Sequence, residues 1–103
     1  MFMIKNRVNG EYDIRGLYTP MQKVARSTWN TIGQAKNHTV QKITAYYYKL
    51  QYLDWYIDAD YIEIDETGIL SVTPVVEHLR KYFTGSYHAK YLTPEQVEKI
   101  GLK

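Results

Sequence analysis

Ile32, Ala35, Thr39, Ile43, Tyr46, Leu50, Leu53 and Ile57 recur at intervals of three or four residues. That spacing holds one stripe on one side of an α-helix. The residues before it alternate at period two instead. A chain that changes period in this way must combine strands with a helix. The stripe predicts one long helix over residues 31–57, with Thr28, Asn30 or Thr31 available as N-cap. Lys36, Gln41, Lys42, Lys49 and Gln51 then fall on the polar side. The run Tyr46-Tyr47-Tyr48 favours strand by propensity, so a helix ending near Lys42 is the alternative.

On the N-terminal side, Phe2, Ile4 and Val8 alternate with polar residues, and Asn9-Gly10 suits a tight type I′ turn. Tyr12 and Ile14 continue the alternation, with Asp13 and Arg15 on the other face. Residues 2–8 and 11–15 therefore read as a hairpin, and a third short strand is expected around 23–29. On the C-terminal side, Tyr61-Ile62-Glu63-Ile64-Asp65 and Ile69-Leu70-Ser71-Val72 flank a turn, which predicts a second hairpin over 60–65 and 69–73. Pro74 fits a helix start, Val75, Val76, Leu79 and Phe83 give that helix an apolar face, and Gly85 ends it. Thr93-Pro94-Glu95-Gln96 carries the marks of a capping box, and Gly101 closes the last short helix. The expected fold class is α+β: a small antiparallel sheet packed against one long helix, with short C-terminal helices, in a single domain spanning 1–103.

Charge is sorted along the chain. Residues 1–53 hold eight Lys and Arg against two acids, residues 54–76 hold six acids and no base, and the whole chain nets only +2. Opposed blocks of this kind can steer a charged partner or face each other inside the fold. Eleven of the 103 residues are Tyr, a side chain suited to half-buried surfaces and interfaces. The chain has no Cys, which removes disulfides, thiolate metal sites and thiol nucleophiles. No apolar run is long enough to span a membrane, and Lys5 and Arg7 interrupt any leader-like segment, so the expectation is a protein of the host cytoplasm without membrane attachment.

No catalytic set can be assembled from spacing. His38, His78 and His88 belong to no metal-binding or nucleophile-base pattern and read as surface or helix-margin residues. Ser27, Ser71 and Ser86 lie in no nucleophile elbow. Asp58, Asp60 and Glu63, or the turn Asp65-Glu66-Thr67-Gly68, could chelate a hard cation, but the ligand spacing of an EF-hand is missing. A solvated acidic face is the favoured reading, with no catalytic residue, metal or cofactor expected. Lys5, Arg7, Arg15, Lys36 and Lys42 could contact phosphates, which makes a nucleic-acid-binding module the alternative. Tyr46, Tyr47, Tyr48, Tyr52, Trp55 and Tyr56 are the candidate protein-binding residues, because one helix face cannot bury them all. The same rings would suit a homodimer seam.

Ile4-Lys5-Asn6-Arg7, Asn9-Gly10-Glu11-Tyr12, Gly16, Lys23-Val24, Trp29, Gly33 and Lys36-Asn37-His38 together resemble the N-terminal module of small accessory proteins of tailed bacteriophages. In that pattern a short hairpin leads into a Gly-Lys-Val-Trp-like strand and then a Gly-x-x-Lys-Asn-His helix start. Here Gln22 stands where the pattern has glycine, and Ala25-Arg26-Ser27-Thr28 separates Val24 from Trp29. The resemblance covers the first forty residues. It implies a phage origin and an accessory role during infection, in which such proteins bind a host enzyme, a defence component or nucleic acid. The expected function is thus non-enzymatic binding of a host or phage macromolecule, with a protein as the favoured partner, modulating or inhibiting it.

Overall fold

The computed structural model describes residues 1–46 and 48–102. The described residues form an α+β fold. In chain order it comprises β1 (Phe2–Asn6), α1 (Ile32–Ile43), α2 (Leu53–Ile57), β2 (Ala59–Asp65), β3 (Gly68–Pro74), α3 (Val75–Phe83), a 3-10 turn (Tyr87–Tyr91) and α4 (Pro94–Ile100). The sheet is antiparallel in the order β1-β2-β3, with Ile4 opposite Tyr61 and Tyr61 opposite Thr73. The central strand β2 buries Tyr61 and Ile62 on opposite faces. Ile4 and Tyr61 meet Ala35 and Ile43 of α1, Leu53 and Tyr56 of α2, Val75, Leu79 and Phe83 of α3 and Ile100 of α4 in one apolar core.

The long helix expected over 31–57 is two helices. Thr31 caps α1 by accepting from the Gln34 N–H, but the helix ends at Ile43. Its last carbonyls find partners outside it: the Gln51 N–H donates to the Ile43 carbonyl and the Gln51 side-chain amide to that of Lys42. Leu50 and Tyr52 adopt positive φ of 49° and 62°, which reverses the chain before α2. Two non-glycine residues in this region carry strain, offset by burial of Leu50 and Leu53. The stripe still reports burial, since Ile43, Leu50, Leu53 and Ile57 are all in the core. The inference of continuity fails, because a seven-residue separation fits a turn as well as two helical turns, and Tyr46 of the stripe is exposed.

The first hairpin is also reshaped. Gly10 has positive φ but Asn9 does not, so the turn is not type I′. Instead Asn6 Oδ1 accepts from the N–H groups of Val8 and Asn9, and the chain returns as single bridges, Lys5 to Tyr12 and Tyr12 to Gln22. The returning segment faces the other way from the alternation: Asp13 is buried, while Tyr12 and Ile14 are half-exposed. The expected strand at 23–29 reduces to one bridge from Trp29 to Phe2. The second hairpin, the apolar face of α3 and its Gly85 stop match the sequence expectation. So does the Thr93/Gln96 capping box, with Gly101 as a left-handed C-cap.

Candidate functional site

Asp13 lies at the centre of the N-terminal half. The Asp13 N–H donates to the Ile4 carbonyl, and this pairing carries the side chain beneath α1. There Asp13 Oδ1 accepts from Lys42 Nζ at 2.9 Å and from the Ile14 N–H. Oδ2 sits 3.1 Å from His38 Nε2 and accepts from the Tyr56 hydroxyl at 2.5 Å. Asp13 and Lys42 are each 0 % exposed. A buried carboxylate is tolerated only when paired and fully hydrogen-bonded, and these donors provide that. Burial pushes the Asp13 carboxyl up, but the bonds and charges of His38 and Lys42 and the Tyr56 bond outweigh it, so the group lies below its usual range. Burial and the Asp13 charge hold the Tyr56 phenol well above its ordinary value. Burial also raises Tyr61, whose hydroxyl pairs with that of Thr39 at 2.9 Å.

Above this cluster, α1 and the segments around residues 15–17 and 28–30 enclose an open cleft of about 550 Å³. His38 forms part of its floor, packed at a tilt against Trp29 with ring centroids 4.7 Å apart. Arg15 lies over the Trp29 ring and donates to the Thr28 carbonyl.

Three residues expected at the surface are therefore structural. Lys42, placed with the phosphate-binding candidates on the polar side of the helix, is enclosed and also donates to the Ile14 carbonyl. Tyr56, placed with the protein-binding aromatics, is core. His38, read as a surface residue, is buried in the ion pair. The signal for this was present: His38, Thr39, Lys42 and Ile43 follow Ala35 at helical spacing and share its inward face. The charge on Lys42 masked the pattern, and Asp13, the group that permits its burial, is remote in sequence.

The other aromatics are dispersed. Tyr46 and Tyr48 are exposed, with Tyr46 packed on Tyr18 and Lys49 over its ring. Tyr47 lies outside the described residues. Tyr52 is half-buried beneath the Lys42 ammonium, and Trp55 is half-buried with its indole N–H donating to Glu11. Among the basic candidates, Arg7 pairs with Asp60 at 2.8 Å and is raised by that bond. Lys5 lies over the Tyr12 ring, and Lys36 is half-exposed near His78. Burial, and then the Lys36 charge, push His78 down, and its Nε2 has no hydrogen-bond partner among the described residues. The acids do not form a chelate: Asp60 holds Arg7, Asp65 accepts from the Thr67 N–H and hydroxyl, and no group of three metal-ligating side chains converges among the described residues.

The surface least accounted for by the interior is the β2–β3 arm. The outer side of β1 carries the bridges to Trp29 and Tyr12, but the outer edge of β3 has no strand beside it among the described residues. Ile69, Leu70 and Val72 are 64 %, 54 % and 54 % exposed. Glu63 pairs with Ser71 and Ile64 with Ile69, so Leu70 is the extra residue of a bulge. No helix among the described residues is long and apolar enough to cross a membrane. Compared with known proteins, the chain matches no family model, no curated sequence and no solved structure.

Proposed function

We propose that this chain is a non-enzymatic, phage-type accessory protein that binds another protein, of host or phage, through the open edge of β3 and thereby modulates it. The observation that carries the reading is that Gly68–Pro74 contains no charged residue, leaves its outer edge unpaired and exposes Ile69, Leu70 and Val72. Edge strands are normally blunted by charges, prolines or cover. Here Leu70 forms a bulge and Pro74 ends the strand, but no charged side chain between them repels an approaching backbone.

An extended segment adding to this edge gains main-chain hydrogen bonds and buries the three aliphatic side chains. Glu63, Asp65 and Glu66 rim the arm, so the complementary segment is apolar with flanking Lys or Arg. The phage-type assignment rests on the resemblance of the first forty residues. Tyr46 and Tyr48 remain candidates for contact area beside the arm. The nucleic-acid alternative finds less support, since Lys42 is enclosed and Arg7 is held by Asp60.

Val72→Lys tests the proposal, because Val72 is exposed and its replacement leaves the core intact. Tagged wild-type protein should retain a protein partner from bacterial lysate after nuclease treatment, and Val72→Lys should lose it. Equal recovery on both proteins, or recovery that disappears with nuclease, would refute the reading.

A further inference from the structure

We propose that the cleft over His38 is a binding site for a small phosphate monoester, separate from the β3 edge. His38 is 8 % exposed, and its Nε2 is engaged by Asp13. Its Nδ1 hydrogen-bonds to nothing among the described residues and is not sealed from solvent, and the ring lines the cleft. A nearly buried imidazole that lines a cleft, with one nitrogen fixed and the other open, is a preorganised polar contact.

The remaining wall chemistry selects an anion. No carboxylate lines the cleft. Arg15 is oriented by its bond to the Thr28 carbonyl and by the Trp29 ring, with Cζ 5.1 Å from the ring centroid. Its Nε and Nη1 make no hydrogen bond among the described residues, and a guanidinium with open N–H groups matches a planar pair of oxyanion oxygens. Gln34 spends its side-chain oxygen on the Asn30 N–H, which leaves its amide N–H₂ as donor. Asn37 and Gln41 continue that amide row along α1 toward the mouth.

The Lys42 ammonium already offsets the Asp13 charge, so the paired floor is neutral and Arg15 makes the cleft positive. The cleft is larger than a bare oxyanion requires. The amide row supplies hydrogen bonds for an organic body such as a sugar, which points to a phosphate monoester and not to free phosphate.

The test is an amide-resonance titration of the full chain with adenosine 5′-monophosphate, with adenosine as the control lacking the anion. The nucleotide should shift residues 15–17, 28–30 and 34–41 saturably, and adenosine should bind at least about tenfold more weakly, the loss expected for removing a charged hydrogen-bond partner. Arg15→Gln should weaken nucleotide binding about tenfold or more. Gln41→Glu, an exposed substitution that places a carboxylate on the wall without touching the core, should do the same. Absence of saturable shifts there, equal binding of adenosine, or unchanged affinity in Gln41→Glu would overturn the assignment.

Discussion

Asp13→Ala removes the acceptor on which Lys42, His38 and Tyr56 converge. Among the described residues, Lys42 then retains the Ile14 carbonyl and the Tyr52 ring face for an ammonium with no solvent exposure, and the Tyr56 hydroxyl loses its acceptor in the core. Removing one partner of a buried ion pair costs about 3–5 kcal/mol, because the surviving charge is left uncompensated. A domain of this size has roughly 5–15 kcal/mol of stability in all. Each ~1 kcal/mol corresponds to about 4–8 °C, so the melting temperature should fall by at least about 12 °C. Lys42→Met added to Asp13→Ala should recover part of the loss, since the orphaned charge is gone and an apolar chain of similar length fills its space. Urea unfolding of the wild type, both single variants and the double variant measures the coupling. The reasoning is refuted if Asp13→Ala costs less than about 1 kcal/mol, or if the double variant is no more stable than Asp13→Ala. The pH dependence has a definite sign. The Asp13 carboxyl is depressed in the folded state, so its contribution is present above the unfolded value near 4 and is lost as pH falls through the folded value. That acid-side loss should be reduced in Asp13→Ala.

At alkaline pH the sign reverses. Tyr56 and Tyr61 are raised in the folded state, so their contribution is complete below about pH 10 and is lost as pH rises toward their folded values. In an ultraviolet titration, these two of the eleven tyrosines should ionise only together with unfolding. Thr93→Ala removes the side-chain half of the α4 capping box and should cost about 1 kcal/mol, with faster hydrogen exchange at the Gln96 amide. Gln51→Ala removes the side-chain donor to the Lys42 and Leu17 carbonyls and should cost about 1 kcal/mol, read by urea unfolding. An unchanged midpoint in Gln51→Ala would mean that this amide does not help to terminate α1.

The features legible in the sequence are those whose causes lie within a few residues. Thr93, Pro94 and Gln96 mark the start of α4 because a cap is satisfied by its own first turn. Gly85 and Gly101 mark helix ends because both adopt the positive φ that glycine tolerates. The β2–β3 hairpin was readable because a short turn separates two strand-prone runs, whereas the register shift at Leu70 was not.

Which residues of the 32–57 stripe are buried was also largely written in the spacing. That the helix breaks after Ile43 was not, since the break depends on Gln51 folding back onto the Ile43 and Lys42 carbonyls. The candidate sites divide in the same way. The uncharged run Ile69–Thr73 is visible in the sequence, but its position at an unpaired edge follows from the strand order. Burial of Lys42, His38 and Tyr56 required the tertiary structure. A buried ammonium needs a compensating charge and a buried phenol needs a hydrogen-bond partner, and Asp13 supplies both from 29 and 43 residues away. Caps, turns and apolar faces follow from neighbouring residues; which charges lie inside follows from the assembled fold, because their compensating partners are distant along the chain.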